Sequence, residues 1–270
     1  MIIWGESTAK GFDRWEASSR GRAALACERR LLHRIISPWP RRRQKLLEIG
    51  CGTGIFLKLF WEAGFDTTGL DRSPAMLERS RSRMGNRVDL HLGNADHLPF
   101  DDREFDFTVL ITVLEFCADP EKIIAEAVRV TRKGLVIGFL NRDSLYYLSH
   151  GRTWPWSKPS TLRQARWFTF MQMRRMVLSR IGPKPVVTRS VLPWPAITWR
   201  DSPFFRKING IILPPLGGAF VAMRIDLVGE RAMSPLLAFK RNSKNARASS
   251  LQPIARGRNS CTRSIDSPLQ

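Results

Sequence analysis

The chain is poor in cysteine. Its 270 residues hold four, Cys27, Cys51, Cys117 and Cys261, with no Cys-x-x-Cys pair and no cluster at metal-ligand spacing. That excludes a disulfide framework or zinc ribbon, calls for no metal, and reads as reduced thiols in a cytoplasmic protein. No apolar run approaches the roughly 18 residues of a membrane-spanning helix. The most apolar window, Ile208 to Met223, contains Pro214-Pro215 and four Asn or Gly residues, and reads as a loop followed by a strand. No signal-peptide core follows Met1, because Glu6, Lys10, Asp13 and Arg14 interrupt it. Acid is scarce overall, 24 residues against 44 basic ones, for a net charge of +20. The imbalance is uneven: residues 1–45 hold 11 basic and 4 acidic residues, 46–143 hold 12 and 16, and 144–270 hold 21 and 4. Basic flanks on a slightly acidic centre suit nucleic acid or an anionic membrane as partner, or else serve solubility. The 43% hydrophobic content suffices for the core of one good-sized domain.

What is present is concentrated in residues 46–71. Leu46 to Ile49 is a short apolar run interrupted by Glu48, the pattern of a buried parallel strand. Gly50-Cys51-Gly52-Thr53-Gly54 then makes a tight turn in which glycine permits φ > 0 and close approach of a ligand to the main chain. Helical spacing resumes from Ile55 to Ala63, with Gly64 to end it. Phe65 to Leu70 reads as the next strand, and Asp71 stands at its end, 17 residues after Gly54. A carboxylate there can accept hydrogen bonds from the two hydroxyls of a ribose. Ser73-Pro74 caps the following helix. The glycine spacing is G-x-G-x-G and not the G-x-G-x-x-G of a pyrophosphate site, and acidic Glu48 beside the loop suits a cationic ligand better than a phosphate.

The run Leu-Glu-Ile-Gly-Cys-Gly-Thr-Gly, with Asp71 after it, closely resembles motif I and the acidic loop of class I S-adenosylmethionine-dependent methyltransferases. The resemblance runs from about Leu46 to Leu140 and is nearest the group that includes the quinone-biosynthesis methyltransferases. It implies a Rossmann-like, doubly wound α/β fold with a seven-stranded sheet whose strand seven is antiparallel, and S-adenosyl-L-methionine as cofactor. By the same resemblance, Glu48 and the loop Gly50, Cys51, Gly52, Thr53 and Gly54 hold the methionine part and Asp71 the ribose. Arg72, Met76, Asp96 and Leu98 surround the adenine, with Asn94, Ala95 and Thr112 beside them. Asp96 can instead serve as a turn residue capping its own backbone. An aromatic-Asp-x-Trp segment, Phe12 to Trp15, folds over the cofactor in many small relatives; here Trp15 either covers the site or packs into the core.

Around these motifs the chain divides into a helical lead-in (1–45), a methyltransferase domain (46–239) and a disordered basic tail (240–270). In the lead-in, a loop through Gly21-Arg22 precedes an amphipathic helix from Ala23 to Ile36, ended by Pro38 and Pro40. Later strands are expected at Val88–Leu92, Phe105–Val113, Leu135–Leu140, Val186–Val191 and Ala219–Leu227, and helices at Ala75–Arg83, Glu121–Thr131 and from Phe168-Thr169 to Ile181, with Gly134 as the stop after the second.

Methyl transfer needs alignment and a dry site more than a fixed set of side chains, so no catalytic group stands out. Glu115, Asn141, Tyr146, Tyr147 and His150 lie beyond strand ends, where open α/β sheets bind ligands, and are the candidates. The end of strand four, Ile111 to Phe116, lacks the Asn/Asp-Pro-Pro-aromatic motif of nucleic-acid amine methylases, and no Pro-Cys nucleophile of the cytosine-C5 type is present. The segment 192–218, rich in Trp, Phe and Pro, suits the wall of an apolar pocket. The expected acceptor is therefore small or lipid-like, with an RNA-directed methyltransferase or a basic RNA- or membrane-binding module as the alternative, and with contact to a membrane surface compatible with the basic flanks.

Overall fold

The computed structural model describes residues 5–152 and 161–228. The proposed tail, 240–270, and Cys261 lie outside them. A seven-stranded sheet forms the middle layer: β1 (Lys45–Ile49), β2 (Asp66–Asp71), β3 (Asp89–Leu92), β4 (Phe105–Ile111), β5 (Thr131–Leu140), β6 (Val186–Val191) and β7 (Phe220–Asp226), in spatial order 3-2-1-4-5-7-6. β1 to β5 are parallel, and β7 runs antiparallel to both β5 and β6. β4 is buried along its whole length, which is why its residues are almost continuously apolar.

The helices are α1 (Glu6–Ala17), α2 (Ser19–Ile35), α3 (Ile55–Glu62), α4 (Pro74–Met84), α5 (Pro120–Arg129), α6 (Thr161–Gln164), α7 (Phe170–Ile181) and α8 (Pro203–Asn209). Side chains cap most of the starts: Ser73 Oγ accepts from Met76 N, Asp119 Oδ1 from Lys122 N, and Thr169 and Gln172 form a reciprocal capping box. One apolar cluster joins α2 and α3 to a sheet face through Leu31, Leu32, Phe60 and Phe107; a second joins α5 and α7 to the other face through Ile124, Met173 and Phe139.

Four expectations are corrected. The stretch before Ala23 is not a loop: it is α1 and the first turn of α2, and Gly21 is required there because a Cβ would stand 2.0 Å from the Trp15 carbonyl oxygen where the two helices meet. β4 ends at Ile111 and not Val113, since Thr112 turns to φ +54° and its N–H donates to the Gly138 carbonyl at 2.8 Å. α5 stops at Arg129 and β5 begins at Thr131. Gly134 is thus a strand residue and no helix stop. The Trp39 indole covers it, and a Cβ there would come within 2.8 Å of that ring. Trp39 also stacks on Phe107 at 4.1 Å and donates from Nε1 to Asp226 Oδ1 at 3.0 Å, so it fastens the lead-in to the sheet. Finally, 192–218 is not all loop; it contains a 3-10 turn at Ala196–Thr198 and α8.

Candidate functional site

The sheet reverses its winding direction between β1 and β4, and an open α/β sheet has its crevice at such a point, beyond the carboxyl ends of the strands. A cavity of about 1000 Å³ lies there. That is the upper end of the range for small-molecule sites, roughly 300–1,000 Å³, enough for a nucleoside cofactor together with a second molecule. One half is lined by the loops after β1, β2, β3 and β4; the other by α1, α2, the segment after β5 and the segment after β6.

In the first half, Gly50, Gly52 and Gly54 all have positive φ, at 71°, 53° and 78°. Their surroundings differ. A Cβ on Gly50 would sit 2.5 Å from Val113 Cγ2, and one on Gly54 would sit 2.6 Å from Ser80 Oγ, so these glycines let the turn after β4 and α4 close in on the loop. Around Gly52 nothing lies within 4 Å, and its backbone faces the cavity. Gly52 N–H donates to Asp71 Oδ2 and Ser73 N–H to Asp71 Oδ1, both at 2.9 Å. Asp71 therefore ties the β1 loop to the β2 loop, and it lines the cavity. Burial raises the affinity of Asp71 for a proton, and the two backbone N–H donors oppose that. Glu48 is 2% exposed and lines the cavity, and its Oε2 has no hydrogen-bond partner among the described residues. Its carboxyl is held well above the usual range by burial first and by the Asp71 charge second. Thr53, Cys51, Arg72, Met76, Asn94, Ala95, Asp96 and Thr112 all line the cavity, while Gly54 does not; Asp96 is also 3.8 Å from Lys122 Nζ. Leu98 does not. It is buried in the core against α5, and its N–H donates to Glu126 Oε2 at 2.9 Å.

Three of the candidate catalytic residues also prove to be scaffolding. Glu115, 2% exposed, does not line the cavity; its Oε1 accepts from Leu140 N at 2.7 Å, fastening the turn after β4 to the end of β5, and burial lifts its pKa to about 7. Asn141 is fully buried, donating to the Gly218 carbonyl at 3.0 Å and accepting from Asp143 N at 3.0 Å. His150 stacks on Tyr146 at 4.6 Å and its Nδ1 lies 2.8 Å from Ser149 Oγ, outside the cavity lining; burial is the main cause of its lowered pKa. Tyr147 packs on Trp167 at 5.3 Å and is not a lining residue either.

Tyr146 does face the cavity. Its ring lies 4.5 Å from Trp199, and burial, then the nearby Glu28 carboxylate, raise its pKa. Trp15 resolves as both alternatives at once: it packs against the core and lines the cavity. Sequence reasoning missed Glu28. It lines the cavity from α2 and its pKa is pushed up to about 7 by burial alone. The signal was available: Ala24, Glu28, Leu31 and Ile35 recur at intervals of four, three and four, so a carboxylate occupies the apolar stripe of the helix. Over the nucleoside half, α1 is held to α4 by Arg79, which donates to Asp13 at 2.6 Å and to Glu6 at 2.9 Å, and by Arg83, bonded to both oxygens of Glu16 at 2.8 Å.

A seven-stranded sheet in this order, with an antiparallel final strand, a glycine loop after β1 and an acid after β2, is the architecture of the class I methyltransferases. Residues 47–138 match the family described as a methyltransferase domain. Malonyl-[acyl-carrier protein] O-methyltransferase of Serratia marcescens is 34% identical over 135 residues, half of this chain and 52% of that protein. Demethylmenaquinone methyltransferase of Renibacterium salmoninarum is 35% identical over 91 residues, 34% of this chain and 38% of that one. A crystal structure of a SAM-dependent methyltransferase from Thermotoga maritima superposes with a TM-score of 0.65 at 24% identity, covering 83% of this chain and 98% of the other. Residues 47–138 thus match a methyltransferase domain, and the fold is that of known S-adenosylmethionine-dependent methyltransferases. It spans about half the length, or less, of the Serratia and Renibacterium relatives.

The residues fit that family's cofactor. Open space at Gly52 admits a ligand against the main chain, and Glu48 Oε2 is a buried acceptor waiting for a donor or a positive charge. S-adenosylmethionine, when bound, supplies an electrophilic methyl group on a sulfonium.

Proposed function

We propose that this chain transfers a methyl group from S-adenosylmethionine to a small or lipid-like acceptor. The observation that carries the reading is the two-sided cavity: a polar cradle at the β1 and β2 loops opens directly onto a chamber walled by Trp15, Leu140, Tyr146, Trp199 and Phe220. In this reading the 50–54 loop and Glu48 hold the methionine portion, Asp71 the ribose, and Asp96 and Met76 border the adenine. The protein's work is to align the two molecules and keep water out. The Serratia and Renibacterium proteins are named for malonyl-[acyl-carrier protein] and demethylmenaquinone, a carried acyl group and a quinone and neither of them a nucleic acid, which favours a small or lipid-like acceptor over RNA here.

The segments that supply the chamber walls also carry exposed apolar side chains. Leu148 is 48% exposed, Ile197 63% and Phe204 67%. Arg200, Arg206 and Lys207 lie in the same stretch. Apolar and basic residues together suit an entrance that meets an anionic lipid surface. Among the described residues no helix is long and apolar enough to cross a membrane, so the contact proposed is peripheral.

The test is to incubate the protein with methyl-labelled S-adenosylmethionine and cell extract, then separate lipid, small-molecule, RNA and protein pools. Label is expected in the lipid or small-molecule pool. Label confined to RNA would overturn the acceptor class and favour the RNA-directed alternative. Calorimetry that finds no binding of S-adenosylhomocysteine would overturn the cofactor reading itself.

A further inference from the structure

We propose that the acceptor chamber is built for a protonated amine, with the Glu28 carboxylate as its counter-ion and Trp15, Tyr146 and Trp199 as the aromatic wall around it. This rests on the methyltransferase reading above and narrows its acceptor.

Three carboxylates near the cavity lack a full set of partners. Glu48 belongs to the cofactor half, and Glu115 is spent on the Leu140 N–H away from the cavity. Glu28 remains. No hydrogen bond or ion pair to it is found among the described residues, yet it sits in the apolar stripe of α2 and lines the chamber beside Leu25. Three arginines of its own helix have other neighbours: Arg22 lies 3.7 Å from Asp201, Arg29 lies 3.2 Å from Glu62, and the Arg30 guanidinium lies beside Gly210. Glu28 is half-buried and faces the chamber, so an anionic or neutral acceptor that covered it would leave its carboxylate out of water without a partner, at a cost in free energy. A protonated amine removes it. Its N–H groups can pair with the carboxylate, and Tyr146 and Trp199, packed on each other at 4.5 Å, line the chamber as aromatic wall.

The same carboxylate can also prepare the nitrogen. Burial places the pKa of Glu28 at about 7, so it holds or accepts a proton near neutrality. When the bound ammonium yields a proton, one N–H bond breaks, its electron pair remains on nitrogen as the lone pair needed for methylation, and an O–H bond forms on Glu28. The titratable groups facing Glu28 are few. Tyr146 comes from the segment after β5, Cys27 from its own helix, and Glu48 and Asp71 stand in the cofactor half; α1 and the 192–218 segment line the chamber with Ser7, Thr8, Phe12, Trp15, Leu192 and Trp199, none of which titrates near neutrality.

The test is calorimetry on the full chain saturated with S-adenosylhomocysteine. The titrants are 2-phenylethylamine and n-octylamine, their neutral counterparts 2-phenylethanol and 1-octanol, and 3-phenylpropionate. At least one amine is expected to bind roughly tenfold or more tighter than its alcohol, with the carboxylate weakest. Glu28→Gln is expected to erase the advantage of the amine while keeping its affinity for S-adenosylhomocysteine and a melting temperature no lower than the parent's. Glu28→Asp, which keeps the charge on a shorter arm, is expected to retain part of the preference. Amines that bind no tighter than their alcohols, or a preference unchanged in Glu28→Gln, would overturn the amine proposal alone. Failure of the parent protein to bind S-adenosylhomocysteine would overturn the cofactor reading and this proposal with it.

Discussion

Substituting alanine at Gly50 and at Gly52 separates two jobs that one glycine-rich loop performs. Both positions are left-handed, so each alanine carries backbone strain of about 1–2 kcal/mol, offset by roughly 0.4–1 kcal/mol because alanine restricts the unfolded chain. At Gly50 the methyl also meets Val113 Cγ2 at 2.5 Å, a group held between β4 and the turn that follows it. Overpacking of this kind costs about 1–3 kcal/mol, so Gly50→Ala should lose about 2–4 kcal/mol of stability. At Gly52 the methyl projects into open cavity, so Gly52→Ala should lose only about 1 kcal/mol of stability. Its effect falls on binding, because the methyl occupies the space through which a ligand reaches the main chain; affinity for S-adenosylhomocysteine should drop more than about tenfold. Urea unfolding of the unliganded proteins measures the first quantity and calorimetry the second. If Gly52→Ala binds S-adenosylhomocysteine as the parent does, or unfolds as easily as Gly50→Ala, the division of labour argued here is wrong.

Other expectations follow from the same geometry. Asp71→Asn should weaken S-adenosylhomocysteine by about 1.5–3 kcal/mol for each charge-assisted bond lost, read by calorimetry. Trp39→Ala should cost about 3–5 kcal/mol in urea unfolding, because it empties the space over Gly134, unstacks Phe107 and removes one donor from Asp226, which keeps Arg224. Glu115, with its pKa raised to about 7, stays protonated in the folded protein while the unfolded chain ionises near 4.5, so stability should fall as pH rises through that window and level off above it. Glu115→Gln should remove from that decline a contribution on the order of 3 kcal/mol, measured as the difference between urea midpoints at pH 4.5 and pH 7.5. Glu28, raised for the same reason, adds to the decline, so a residual slope in Glu115→Gln is expected.

What could be read in the residues was whatever depends on near neighbours in sequence. The β1 strand, the glycine turn, α3 and Asp71 lie within 27 residues of one another, and each is specified by local backbone chemistry, so all emerged with the right ends to within a residue or two. The failures share the opposite property. Gly134 looks like a helix stop until Trp39, 95 residues earlier, is brought against it; Gly21 is the local exception, required by the Trp15 carbonyl where two helices meet. Glu115 and Asn141 sit at strand ends, as functional residues do, yet the buried N–H of Leu140 and the carbonyl of Gly218 claim them first. Glu28 is obscured by the charged neighbours Arg29 and Arg30, and only its helical spacing with Ala24, Leu31 and Ile35 places it on the face that meets the chamber.

The ion pairs from Arg79 and Arg83 to the first helix join the nucleoside side of the cavity to the same helical hairpin that carries Glu28. A displacement of that hairpin would therefore disturb both sides of the cavity together. The contact is fastened by exposed and half-exposed charges, so added salt should loosen it. Where release limits the cycle, moderate ionic strength would then act as an accelerator, and the Arg83→Ala protein, already unlatched, would respond to salt less than the parent.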